Sequence, residues 1–232
     1  MYSMTPAPAD RVDVLVLASH APELVGLRAT LTESLDGRVR GLRVLGKTVG
    51  IGLPVAAGGA AGRVTTLQPR AVILLGTCGV YPGLTFYRPH DVVIANRVAL
   101  VDTAALTQRA QFPDPMQTTV EPQQGLATGL VAVGPRTRLA PVASTLAFTA
   151  DDQLATAVHA STGCEAENLE AFSVGLAASL AHIPFAAVLG VTHITGSRGR
   201  DDWKQFQRQS SIAAAEVILA WIHNGAVGLP HS

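Results

Sequence analysis

Short, continuously apolar runs alternate along this chain with segments whose apolar positions recur every three or four residues. Val14–Ala18, just after Asp13, shows no polar alternation, the pattern of a strand buried on both faces of a parallel or mixed sheet. Pro22 then suits the first turn of a helix in which Leu24, Leu27 and Leu31 repeat at helical spacing. Residues 42–52 form a second β-rich region. Residues 55–64, rich in Ala and Gly, predict a tightly packed helix even though glycine lowers helix stability. Residues 71–76 predict a buried strand ending in the turn Gly76-Thr77-Cys78-Gly79, and residues 91–102, mostly β-branched or apolar, predict a long strand.

The stretch 103–124, rich in Gln, Thr and Pro, reads as a long loop or flap. Beyond it, residues 130–133 and 142–148 predict strands, 154–161 a short helix and 168–181 a small-residue helix buried on most sides. Residues 185–192 are another buried strand. A closing amphipathic helix over 202–221 aligns Phe206, Ala213, Val217 and Trp221, with Asp201 or Asp202 able to cap it. Strands alternating with helices predict an α/β fold, a three-layer α/β/α sandwich around a central mixed sheet. We expect residues 11–232 to form one domain and residues 1–10, a mixture of Pro, Ala and Ser without a basic start or apolar run, to be a loose tail and not a signal peptide.

Composition narrows the partners. The 232 residues are 48% apolar, enough for a substantial core, and no apolar stretch reaches the length of a bilayer span before Gly, Pro or charge interrupts it. Seventeen Lys and Arg balance seventeen Asp and Glu, so nothing marks a nucleic-acid or anionic-membrane surface, and a small molecule is the expected partner. The two cysteines, Cys78 and Cys164, lie far apart in apolar or small-residue contexts, which fits reduced thiols in a cytoplasmic protein. No cofactor or metal set is expected.

Candidate chemistry gathers where predicted strands end. Glu170 falls in the opening turn of a helix with no cation nearby along the chain; it is either a cap or a ligand-binding carboxylate able to accept two sugar hydroxyls. Glu23 poses the same choice, a dipole-stabilised surface group or one that orients or deprotonates water. Glu23 follows the carboxyl end of a buried strand, the edge at which open α/β sheets bind ligands. The turns Gly76-Thr77-Cys78-Gly79 and Gly50-Ile51-Gly52 allow close backbone approach to a ligand, each being a weak signal alone. His193 follows the last buried strand and precedes a Gly/Arg/Asp-rich stretch ending at Trp203; a structural ring and a ligand contact both fit it. His90, His159 and His231 belong to no constellation.

Taken in order, these pieces resemble the nucleoside phosphorylase superfamily, which includes purine and uridine phosphorylases, methylthioadenosine/S-adenosylhomocysteine nucleosidases and futalosine hydrolases. The resemblance runs from Val14 to about Trp203. It places Glu23 on the glutamate that activates water in the nucleosidases, and Gly50-Ile51-Gly52 on the family's Gly-Ile-Gly turn, with Ile51 facing substrate. It likewise sets Thr77, Cys78 and Gly79 on the loop that lines the ribosyl site and Phe148 on the aromatic residue that stacks on the base. Asn168-Leu169-Glu170-Ala171 resembles the Glu-Met-Glu-Ala segment that grips the ribose, with Asn168 in place of the first glutamate. Residues 184–192 resemble the last core strand, and Thr192, His193 and Trp203 are expected at its base-binding end.

Adenine-specific nucleosidases carry a catalytic Asp where this chain has His193, and superfamily members acting on 6-oxopurines often carry Asn. The stretch Gly190 to Trp203 is more similar to futalosine hydrolases, which implies a hypoxanthine-like base hydrogen-bonded by His193 through N7 or O6. Hexameric phosphorylases place Arg before the Gly-Ser/Thr-Ala/Cys-Gly loop and in a Gly-Asp-Pro motif; here stand Leu74-Leu75 and Ser19-His20-Ala21-Pro22. A phosphate dianion would lack those clamps, so the resemblance implies water as nucleophile. The competing readings are a nucleoside-binding protein without turnover and a phosphorylase with a relocated phosphate site at Arg97, Arg198 or Arg200. A homo-oligomer is also implied, since subunits of the superfamily commonly complete each other's sites.

Overall fold

Alternate residues of the first strand serve two different cores. In the computed structural model, which describes residues 11–231, Val14, Val16 and Ala18 join one apolar cluster and Leu15 and Leu17 join another. A strand packed on both faces has no use for polar alternation, which is why the run is continuously apolar. The tail expected over residues 1–10 lies outside the described residues.

The elements follow in chain order. The first half holds β1 (Val14–Ala18), a 3-10 turn (Ala21–Leu24), α1 (Val25–Leu31), β2 (Asp36–Val39), β3 (Leu42–Thr48), α2 (Leu53–Leu67), β4 (Ala71–Val80) and β5 (Val92–Val101). Next come α3 (Thr103–Leu106), β6 (Thr119–Val120), α4 (Gln124–Val131), β7 (Thr137–Thr145) and α5 (Asp152–Thr162). β8 (Ala166–Glu167), α6 (Ala171–Leu180), β9 (Phe185–Ile194) and α7 (Gly199–His223) complete the described chain.

The sheet is mixed, and helices cover both faces, as the strand–helix alternation predicts. β1 lies parallel between β3 and β4, and β4 in turn runs parallel to β9. One core packs Ala56, Ala60 and Val64 of α2 and Val174 and Ala178 of α6 against the sheet. The opposite core uses Leu27 and Leu31 of α1, Leu126 and Leu130 of α4, and Ala214, Ile218 and Trp221 of α7. At its far end the sheet closes on itself: β9 pairs antiparallel with β5, β5 parallel with β7, β7 with β8, and β8 back onto β4. This ring of five strands brings residues distant in sequence to one rim.

Several local expectations are corrected. Residues 130–133 are not a strand; Leu126, Ala127 and Leu130 share the buried face of α4, capped by the Gln123 side chain, which accepts the Leu126 N–H at 2.6 Å. The apolar run was too short to separate strand from helix by period alone. The flap region 103–124 contains α3, capped by Asp102, and β6, which pairs with β5. β7 spans Thr137–Thr145, so the chain leaves the sheet before Phe148. β4 continues through the expected Gly76–Gly79 turn to Val80, with a register shift between Cys78 and Gly79, and β9 continues through His193. β2 and β8 are short strands with no signal in the sequence pattern; the partners they pair with supply their stability.

Candidate active site

Parallel strands bring their carboxyl ends to one edge, where β4, β9 and the turn that follows β1 deliver polar side chains. They enclose a cavity of about 250 Å³ whose wall includes Ser19, His20, Glu23, Ile51, Thr77, Cys78, Gly79, Phe148 and Thr149. Glu167, Asn168, Leu169, Glu170, His193, Gly199, Arg200 and Trp203 close it. Of the residues expected to touch substrate or water, Thr192 stands behind this wall, fully buried and bonded to His193.

Glu23 sits in the 3-10 turn that Pro22 initiates directly after β1. Its Oε2 accepts the Ser19 backbone N–H at 3.0 Å and the Ser19 hydroxyl at 2.6 Å, and His20 Nδ1 lies 3.5 Å away. The carboxylate is 6% exposed, and among the described residues nothing bonds its Oε1. One oxygen is therefore held by the turn, while the other is available to a water or ligand.

Glu170 occupies the residue before α6, yet it makes no side-chain cap. Asn168 caps instead: its Oδ1 accepts the N–H groups of Glu170 at 2.9 Å and Ala171 at 2.8 Å, while its Nδ2 donates to the Thr77 carbonyl. The Glu170 carboxylate turns the other way, and its Oε1 accepts the Gly52 N–H at 2.8 Å. The Asn168 side chain also supports the ionised carboxylate. Asn168, expected at the sugar, lines the cavity while its amide holds the helix start against β4.

These two carboxylates share one poorly solvated space, and the electrostatics follow. Burial pushes the Glu170 pKa up to about 7, the Gly52 N–H opposes the shift, and the neighbouring Glu23 charge adds to it. His20 is raised above its usual value, chiefly by its hydrogen bond to Glu23, with burial opposing. Charge is therefore finely balanced at this end of the cavity.

The opposite end is less polar. Burial depresses the His193 pKa to about 4, opposed by the Asp202 carboxylate, so the ring is neutral at physiological pH. Thr192 Oγ1 lies 2.6 Å from His193 Nδ1 and donates to the Cys78 carbonyl at 3.1 Å. A Cβ on Gly79 would come 2.5 Å from His193 Nε2 and 2.4 Å from Thr195 Oγ1, and one on Gly199 would come 2.7 Å from His193 Cδ2. Glycine at both positions is what lets the imidazole lie in this slot. Trp203 Nε1 donates to Thr77 Oγ1 at 3.2 Å, and its ring centroid lies 6.4 Å from that of His20.

Phe148 is 51% exposed at the cavity mouth, on the loop after β7. Glu167 anchors that loop: its carboxylate accepts the Thr149 N–H at 2.8 Å, the Thr149 hydroxyl at 2.6 Å and the Tyr81 hydroxyl at 2.9 Å. Sequence reasoning assigned no role to Ser19, His20, Thr149 and Glu167, all of which line the cavity. A serine four residues before Glu23 at a strand-to-helix junction was a usable sign of a tethered carboxylate. For Glu167 no sign exists, since its partners are 18 and 86 residues away.

The three arginines considered for phosphate separate cleanly. Arg97 donates to the Thr162 carbonyl away from the cavity, Arg198 points to solvent beside Asp202, and Arg200 lines the cavity. A second, more open depression of about 420 Å³ lies beside Phe86, Tyr87, Arg138 and Glu165. There Arg138 stacks over Phe86 and Glu165 accepts the Tyr87 hydroxyl, so its polar groups are already engaged. Among the described residues no cluster of His, Cys, Asp and Glu is arranged to hold a metal, and no helix is long and apolar enough to cross a membrane.

Known structures share this architecture. The 5′-methylthioadenosine/S-adenosylhomocysteine nucleosidase of Helicobacter pylori, solved with butyl-thio-DADMe-Immucillin-A, superposes with a TM-score of 0.81 at 12% identity, covering 92% of this chain and 99% of that one. Futalosine hydrolase of the same organism gives 0.80 at 12% identity, over 92% and 98% of the two chains. The corresponding nucleosidase of S. pneumoniae, solved with the transition-state inhibitor MT-ImmA, gives 0.78 at 19% identity, over 91% and 98%. No curated protein sequence matches the chain. The family model of the phosphorylase superfamily matches residues 32–223, and with the fold and the cavity it establishes that this chain belongs to the phosphorylase superfamily.

Proposed function

We propose that the protein is an N-ribosyl hydrolase that cleaves the N-glycosidic bond of a purine nucleoside and releases the free base. The observation that carries this reading is the convergence of Glu23 and Glu170 on one cavity, each with one oxygen held by a backbone N–H. Glycosidic cleavage passes through an oxocarbenium-like state, so the protein must position a nucleophile and hold the sugar while the base departs. Glu170, when ionised, accepts the ribose hydroxyls; Glu23 positions and deprotonates the attacking water through Oε1. Phe148 covers the purine, Ile51, Thr77, Cys78, Gly79 and Leu169 line the sugar and base, and Trp203 with His193 bounds the base end. Asn168 and Thr192 act on substrate through Glu170 and His193.

The preferred substrate is a 6-oxopurine nucleoside such as futalosine. Support comes from the similarity of residues 190–203 to futalosine hydrolases. Apolar Ile51, Val55, Leu146 and Phe148 stand exposed, two of them on the cavity wall, and the reading includes a homo-oligomer in which a second copy covers them. Both cysteines are free and buried, in keeping with a reducing, cytoplasmic setting.

Phosphorolysis is the second reading, favoured by one observation: Arg200 lines the cavity and has no acidic partner among the described residues. A nucleoside-binding protein without turnover is the third. Incubation with inosine, futalosine, adenosine and methylthioadenosine, with and without phosphate, separates the three. Hydrolysis gives free base and free sugar whether or not phosphate is present. A sugar 1-phosphate would replace that reading with the second, and tight binding without release of base would replace it with the third.

A further inference from the structure

The polarity of the His193 ring follows from counting protons. Thr192 is fully buried and its hydroxyl carries a single hydrogen. That hydroxyl makes two contacts, one with the Cys78 carbonyl at 3.1 Å and one with His193 Nδ1 at 2.6 Å. Both contacts are hydrogen bonds only if the hydroxyl hydrogen goes to the Cys78 carbonyl, which can only accept, and Nδ1 carries a proton and donates. The opposite assignment would bury two oxygens against each other with no hydrogen between them, leaving the Cys78 carbonyl without this donor. With the ring neutral, Nε2 then holds a lone pair. It has no hydrogen-bond partner among the described residues, and it lies in the slot between Gly79 and Gly199 on the cavity wall.

We propose that His193 is a specificity-determining residue whose Nε2 accepts a hydrogen bond from an N–H of the bound base, with Thr192 and the Cys78 carbonyl setting that direction. The ring therefore does not serve as the proton donor to N7 or O6 that the sequence resemblance implied. A 6-oxopurine offers its ring N1–H, and a 6-aminopurine offers its exocyclic amino group; a base edge presenting only acceptors is rejected, because a lone pair would face a lone pair. The polarity of the ring is a property of the free protein. Its assignment to a purine N–H rests on the nucleosidase reading above.

Nitrogen-15 NMR of the histidine-labelled full chain at neutral pH tests both parts. The His193 ring is assigned by its loss in His193→Gln or, should that variant not fold, as the one ring altered in Thr192→Val. The expected result is a protonated Nδ1 and a pyridine-type Nε2, with the Nε2 resonance moving upfield on saturation with hypoxanthine or adenine. In Thr192→Val, which keeps the shape and removes the hydroxyl, the ring shifts toward the Nε2–H form. A proton on Nε2 in the free protein or in the complex overturns the proposal, as does an Nε2 resonance that neither base moves. An Nδ1–H ring in a protein that releases no base from any nucleoside upholds the polarity and removes only the nucleosidase reading.

Discussion

Asn168 accepts the backbone N–H groups of Glu170 and Ala171 and so performs the capping that Glu170 would otherwise be placed to do. A carboxylate preceding a helix is ordinarily drawn to its free N–H groups. Here an amide occupies them, and Glu170 is left to face the cavity and the Gly52 N–H. Replacing Asn168 with Ala should cost about 1 kcal/mol of stability through the lost cap. It should also raise KM for the nucleoside more than it lowers kcat, because Glu170 is then drawn back to its own helix. Denaturant titration and steady-state kinetics read the two effects separately; a stability loss with unchanged KM would disconnect Asn168 from the sugar.

The raised pKa of Glu170 makes a signed prediction about stability. Its ordinary value of 4.5 is lifted to about 7 in the fold, so the native state holds this proton more tightly than the unfolded chain does. The stabilisation is complete below pH 4.5 and is lost as pH rises through about 7. Glu170→Gln removes that loss, so the variant should be equal to or less stable than the parent at pH 4.5 but gain on it progressively up to about pH 8. Under the proposed role of Glu170 as acceptor of the ribose hydroxyls, nucleoside turnover should meanwhile be largely abolished.

His193 acts in the opposite direction. Its value falls from 6.5 to about 4 in the fold, so its contribution to stability is present above pH 6.5 and is lost as pH falls toward 4. Urea unfolding of the parent against His193→Gln across that interval should show the parent losing stability relative to the variant as the pH drops. A constant difference would mean that the ring is solvated.

Glu23→Gln leaves the Ser19 tether a partner but removes the base, and kcat should fall by ~10²–10⁴ with little change in KM. Ser19→Ala should have a smaller effect in the same direction, since the backbone N–H of Ser19 still holds Oε2. A Glu23→Gln enzyme with near-normal kcat would assign water activation elsewhere.

Glu167 is reached by three donors, two of them from Thr149, and its loss should free the loop that carries Phe148. Glu167→Leu would bury those donors unpaired and should cost on the order of 2 kcal/mol or more. Glu167→Gln, which keeps the shape and an acceptor oxygen, should retain most of the stability while raising KM. Protease sensitivity near residue 148 measures the loop directly.

The buried strands were legible because a strand packed on both faces is written as a continuous apolar run, as in β1 and in the first halves of β4 and β9. Residues 130–133 misled for the same reason: four apolar residues carry no period, and α4 was recognisable only with its partners Leu126 and Ala127. Two-residue strands such as β8 have no pattern of their own.

Local sequence by itself determined the core strands, the turn at Pro22 and the residue types that could do chemistry, because these depend on spacing along one short segment. Which way each polar group faces was decided only by the tertiary structure. Glu170 could be a cap or a ligand group until Asn168 was seen at the helix start, and Thr192 gained a role only once β4 set the Cys78 carbonyl beside it. Hydrogen bonds reach across distances of 100 residues as readily as across three, so the direction of a side chain is a property of the packed neighbours and not of the segment that carries it.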